Sequence, residues 1–90
     1  MNIKIKIPQL LREYTKSQGI VEVNGNIISE CLDDLIRQYP DTKRWLFDRN
    51  GVLLVLIRIN EDETIRHRKG LNKPVKNGDE LYIFNILGGG

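Results

Sequence analysis

Residues 3–7 alternate without a break, Ile3, Ile5 and Ile7 against Lys4 and Lys6. A period of two describes a strand with isoleucines on a dry face and lysines in water. The dry face must be covered, and a chain of 90 residues has room for one core to do it. Only one segment has the length and period required. Ile28, Leu32, Leu35, Ile36 and Tyr39 share one face of a helix predicted from about Ser29 to Gln38. Ser29 is placed to be its N-cap, Glu30, Asp33 and Asp34 put negative charge near the positive end of its dipole, and Pro40 marks its end.

The remaining segments supply more strands. Pro8 stops the first, because proline offers no N–H to a ladder. Gln9 to Lys16 carries Leu10, Leu11 and Tyr14 through a connection ending near Gly19, and Ile20 to Val23 alternates again as its hairpin partner. In that partner, Ile20 or Val21 is buried together with Val23. Asn24-Gly25-Asn26, Asn50-Gly51, Asn60-Glu61-Asp62 and Asn77-Gly78 are turn signals. Asp41 to Phe47 reads as a short helical turn or irregular segment. Val52 to Ile59 is a nearly continuous apolar strand, Ile65 and Leu71 are anchors in a polar loop, and Glu80 to Leu87 is the last strand. The order strand, strand, helix, strand, loop, strand gives an α+β fold with one main helix laid over a sheet.

Composition narrows the function. A chain that is 40% hydrophobic and 29% charged is ordinary for a globular domain. A net charge of +2 does not supply the dense basic face that a phosphate backbone demands, so no nucleic-acid partner is expected. Arg66-His67-Arg68-Lys69, with Lys73 and Lys76, reads as a solvated loop, with docking on an acidic partner as the alternative. No apolar run approaches the ~18 residues of a membrane span, and the N-terminus lacks a signal-peptide core, so a cytoplasmic location without membrane attachment is expected. One cysteine excludes an internal disulfide and the multi-cysteine zinc patterns. Cys31 lies at helical spacing with Ile28 and Leu35 and reads as a small buried apolar residue, although its place near a helix N-terminus suits a reactive thiol too. His67 reads as a surface residue with no metal-ligand spacing around it, and no metal site is expected. Solvation accounts for Asp33-Asp34 and Glu61-Asp62-Glu63. Trp45 is expected to pack beside Phe47, packed or partly exposed.

The sequence ends in Gly88-Gly89-Gly90. Three glycines after a strand cannot add to a core, and glycine is the residue that costs most backbone entropy to order. Leu87 to Gly90 would reach about 13–14 Å beyond the sheet at full extension. A tail without side chains threads a narrow channel and carries its carboxylate to another protein's reactive centre. A frayed terminus or an expression remnant explains the same three residues equally well. The strand before them weighs in. If Leu81 and Ile83 point beneath the helix, Tyr82 and Phe84 lie on the open face with Ile86 and Leu87 at the root of the tail, a patch suited to partner docking. The alternative is that loops partly cover both faces of this strand.

Several stretches, in order, carry a resemblance: Ile3-Lys4-Ile5-Lys6-Ile7-Pro8, Val21-Glu22-Val23-Asn24-Gly25, Tyr39-Pro40, Leu46-Phe47-Asp48-Arg49-Asn50-Gly51, Gly70-Leu71, Pro74-Val75, Asn77-Gly78-Asp79-Glu80 and the glycine end. Along its whole length the chain resembles the MoaD/ThiS family of ubiquitin-like sulfur carriers, in particular the branch serving cysteine or homocysteine synthesis. The resemblance implies a ubiquitin-like β-grasp with a mixed sheet, the domain spanning residues 1–87 and the tail residues 88–90. It implies a protein co-substrate rather than an enzyme, with no bound cofactor. An adenylyltransferase resembling the ubiquitin-activating enzyme would spend ATP on the C-terminal glycine. Sulfur would then displace AMP to leave a thiocarboxylate, and an accepting synthase would use it. A sulfurtransferase and a tail-trimming protease complete the implied partners.

The family pattern ends in two glycines and this chain in three. Either Gly90 is activated, with Gly88 lengthening the tail, or Gly90 is trimmed and Gly89 is activated; the first needs no extra step. Two other functions fit the same residues: a protein modifier joined to lysines through the tail, and a β-grasp module that binds without it. Cysteine, homocysteine, thiamin, molybdopterin and thioamide-containing metabolites are all open as sulfur acceptors.

Overall fold

The computed structural model describes residues 2–85. Five strands form one sheet: β1 (Asn2–Lys6), β2 (Ile20–Asn24), β3 (Val55–Ile59), β4 (Thr64–Ile65) and β5 (Glu80–Asn85). The spatial order is β2-β1-β5-β3-β4. β1 pairs antiparallel with β2 and parallel with β5, while β3 pairs antiparallel with β5 and β4. The sheet is therefore mixed, with the first and last strands side by side at its centre. That is the β-grasp arrangement.

Helix α1 (Ile28–Gln38) lies across one face. The inward residues form continuous rows through the sheet. Val21, Ile5, Leu81 and Ile59 are successive cross-strand partners, as are Ile83, Ile57 and Ile65. All seven are buried, together with Ile28, Cys31, Leu32 and Leu35 of the helix. Each fully buried Ile or Leu contributes roughly 1.5–3 kcal/mol relative to exposure. Ile36, Tyr39, Trp45 and Phe47 pack around this core. Between Ile20 and Val21, the open alternative resolves to Val21, with Ile20 exposed.

The connections are more ordered than their sequences suggest. Gln9–Thr15 is a 3₁₀ helix that buries Leu11 and Thr15. Pro40–Thr42 is another 3₁₀ turn, running into the four-residue helix α2 (Lys43–Leu46). Leu71 is buried within a third, Arg68–Asn72. Trp45 stacks against Tyr14, ring centroids 5.4 Å apart, and is partly buried.

Two expectations for α1 need correction. Ser29 does not cap the helix; Ile27 occupies the cap position, without a side-chain hydrogen bond. The segment after the third 3₁₀ turn does the work instead. Ile28 N–H donates to the Lys73 carbonyl and Val75 N–H to the Asn26 carbonyl, so the helix start is tied to a neighbouring backbone. Glu30 Oε1 adds an acceptor for Asn26 N–H at 2.8 Å.

Nor is Asp34 a solvated acid. Its side chain is 8% exposed, and it accepts the Asn24 N–H at 2.9 Å and hydrogen bonds from Arg37 and Gln38. Gln38 also donates to the Glu22 carbonyl at 2.9 Å. Burial pushes the Asp34 pKa up, but the Asn24 N–H and the Arg37 guanidinium outweigh it and hold the carboxyl below its ordinary 3.8. One helix face thus packs the core while its flank fastens the outer edge of β2, occupying groups that would otherwise pair with another strand.

Candidate functional site at the open face of the central strand

β5 is the strand that leads to the glycines, and it is central. Leu81 and Ile83 point into the core, so Tyr82 and Phe84 stand on the uncovered face, as their alternation predicts. Phe84 remains 40% exposed. Ile86, Leu87 and the glycines Gly88, Gly89 and Gly90 lie outside the described residues.

The register gives this face its composition. One row crosses all five strands: Ile20, Lys6, Tyr82, Arg58 and Thr64. A second row sets Lys4 between Glu22 and Glu80, and Phe84 faces Leu56 in a third. Tyr82 is fixed from three sides. Its hydroxyl donates to Glu80 Oε1 at 2.8 Å, which with the nearby carboxylate raises the phenol pKa and keeps the group a donor. The Arg58 guanidinium lies 4.6 Å from the Tyr82 ring centroid and 5.2 Å from that of Phe84. Lys6 Nζ approaches the Tyr82 ring from the other side at 5.8 Å. Tyr82, flanked by both Lys6 and Arg58, is half-buried, while Phe84, beside Arg58 alone, is exposed.

Pairing between β1 and β5 runs to Lys6 and Tyr82, and Pro8 follows two residues later. Beyond that point β5 continues against β3 as far as the Val55–Asn85 pair. The strand therefore leaves the sheet's centre held on one side. Lys6 and Arg58 were not singled out from the sequence. The signal that finds them is cross-strand register, which alternation alone does not supply.

The other candidates carry less chemistry. The Cys31 thiol is buried, and burial pushes its pKa up to about 11, against the depression that a nucleophile requires. It is the small core residue. His67 is exposed on its loop. A cleft of about 520 Å³ opens on the helix side, where Asp33 and Asp48 alternate with Lys43, Arg49 and Arg68. Its charges are mixed rather than convergent. Among the described residues no cluster of three His, Cys, Asp or Glu could hold a metal ion, and no helix is long and apolar enough to cross a membrane.

A family model, the ThiS family, matches residues 5–90. The chain belongs to the ThiS family. Sulfur carrier protein CysO of Mycobacterium tuberculosis is 32% identical over 94 residues, covering the whole of both chains. Among solved structures, a chain of the Amycolatopsis orientalis BexX/CysO complex superimposes with a TM-score of 0.83 at 31% identity, over 98% of this chain and 99% of that one. Small archaeal modifier protein 1 from Methanosarcina acetivorans gives 0.82 at 28% identity, over 99% and 96%. This ThiS-family chain thus stands among small ubiquitin-like carriers rather than enzymes. At least one such relative is solved in complex with a partner protein.

Proposed function

We propose that this chain is a sulfur carrier whose reacting atom is the carboxylate carbon of Gly90. The observation that carries the reading is full-length similarity to a protein named as a sulfur carrier, within a family match that extends to residue 90. A carboxylate is a poor acyl donor. A partner adenylyltransferase therefore converts it to an acyl-adenylate at the expense of ATP, releasing pyrophosphate. A persulfide sulfur displaces AMP, and a thiol reduces the acyl disulfide to the thiocarboxylate. An accepting synthase then takes the sulfur. The chain's own contribution is reach and docking: Tyr82, Phe84, Ile86 and Leu87 meet the partner while Gly88 and Gly89 pass into its channel. A synthase of cysteine or homocysteine is the favoured acceptor, because the carrier relative is named CysO.

Intact mass tests this directly. Incubation with the cognate adenylyltransferase, ATP and a sulfur donor exchanges one oxygen of the chain for sulfur. Loss of the exchange on deleting Gly90 alone supports activation at Gly90; its survival points to Gly89 after trimming. No exchange in the intact chain sinks the carrier reading. The likeness to an archaeal modifier protein favours a second reading, conjugation to lysines through the same tail. Glycine remnants on cellular lysines, absent when the tail is deleted, are its mark.

A further inference from the structure

The geometry points to a specific partner chemistry: the open face recognises a protein side-chain carboxylate, set beside an apolar side chain, between Lys6 and Arg58 over the Tyr82 ring. This deepens the carrier reading and rests on it for the identity of the partner. The three rows of the face differ in charge balance. In the Lys4 row one cation stands between two carboxylates, Glu22 and Glu80, so the row is net negative. In the Tyr82 row two cations flank one ring, and the other members, Ile20 and Thr64, carry no charge. Among the described residues the ion pairs are Arg37–Asp34, Arg44–Asp41 and Lys73–Glu63; Lys6 and Arg58 join none of them.

Arg58 is also aimed. Its Nε donates to the Asn60 carbonyl at 2.9 Å, which orients the guanidinium over Tyr82 and Phe84. Its two Nη groups make no hydrogen bond among the described residues, leaving the end of the fork for a planar acceptor. The exposed Phe84 ring and Leu56 adjoin it and form an apolar wall on one side. A carboxylate settling here gains two cations and a phenyl wall. A neutral amide of the same shape gains the wall and one uncharged acceptor, which the two cations hold more weakly. The loop Arg66-His67-Arg68-Lys69 carries more charge but no Phe, Tyr or Trp, so the peptide titration distinguishes binding at the two places.

The test titrates the labelled full chain by NMR with acetyl-Leu-Glu-amide and with acetyl-Leu-Gln-amide, each at about 1–10 mM, where single weak contacts bind. The expected result is movement of the Arg58 Nε–H and of the Lys6, Tyr82 and Phe84 amides with the Glu peptide alone. Lys6→Gln with Arg58→Gln abolishes it, while Lys43→Gln on the helix side does not. Shifts confined to residues 66–69, equal shifts with both peptides, or none at all overturn the proposal. In the activation reaction, Lys6→Gln with Arg58→Gln raises the KM for the chain about tenfold and leaves kcat near its original value. An unchanged KM means the adenylyltransferase does not read this site, and overturns it as that partner's contact. If the unaltered chain gains no sulfur, the carrier reading falls, and the peptide titration alone decides this one.

Discussion

The two faces of the sheet are built from the same five strands and share nothing in how they spend their residues. The covered face is rows of Ile, Leu and Val under α1, dry and chemically silent, with a thiol whose pKa burial has raised. The open face offers aromatic rings under guanidinium and ammonium groups, with Lys6 and Arg58 in no ion pair among the described residues. Alternation keeps these roles separate along every strand, because neighbours in sequence point to opposite sides. Stability and docking are therefore separable by position. Substitutions inward should change the first and leave the second; substitutions outward should do the reverse.

The inward side gives the largest expected effect. Leu32 is fully buried under the sheet, and Leu32→Ala should lower unfolding free energy by ~2–5 kcal/mol, the loss of its transfer energy and the cavity left behind. Urea unfolding measures it. If the variant's folded fraction also lost affinity for the activating partner, the separation of faces would be broken.

Gly25 comes next. A Cβ there would stand 2.8 Å from the backbone nitrogen of Cys31 and 2.9 Å from its sulfur, where the chain turns from β2 into α1. Backbone cannot step aside as a flexible side chain does. Gly25→Ala should cost ~1–3 kcal/mol by overpacking, read in the same unfolding assay. Gly78→Ala is the useful contrast. Its φ of +92° strains an L-residue, yet no atom lies within 4 Å of the added methyl, so the loss there is conformational alone.

How far these features were legible in the sequence follows from the range of the interactions. Ile3, Ile5 and Ile7 announce an inward face because period is a local property, and so do Leu81 and Ile83 against Tyr82 and Phe84. The helix over α1 is local too, and its bounds differ from the prediction by one residue. Arg58 was hidden inside an apolar run, and its place over Tyr82 depends on which residue of β5 stands opposite, a matter of register. Asp34 misled because an acid on the second turn of a helix is ordinarily solvated; its partner, the Asn24 N–H, belongs to a strand edge ten residues away. Ser29 failed as a cap because the helix begins one residue before it, at Ile28, whose N–H donates to the distant Lys73 carbonyl. Each miss is an interaction between different elements of the fold, which local periodicity does not report.

Asp34 sharpens the comparison through pH. Its folded-state pKa lies below the ordinary 3.8, so the native state favours the ionised form. The resulting stabilisation is fully present above that ordinary value and is lost as pH falls below it, through the folded pKa. Asp34→Asn should therefore destabilise the chain at neutral pH by about 1.5–3 kcal/mol, the worth of a hydrogen bond to a charged group. The gap between variant and parent should close on acidification. A gap that persists to low pH would show that packing, not ionisation, fastens the helix flank to β2.

Phe84 completes the contrast with the smallest effect on folding. Its ring is 40% exposed and lies against Leu56 and the Arg58 guanidinium, so truncation removes little buried surface. Phe84→Ala should change unfolding free energy by less than about 1 kcal/mol. Its docking role predicts a disproportionate functional loss, on the order of tenfold in kcat/KM for activation, since exposed aromatics at interfaces carry much of the binding energy. Pairing it with Arg58→Gln divides the wall from the charge. If the ring acts only by holding the guanidinium, the double variant loses no more than the worse single. If the two meet the partner independently, their losses multiply. A tail-deleted chain gives the remaining arm: binding that survives loss of Gly88 to Gly90 but not of Phe84 separates grip from reaction.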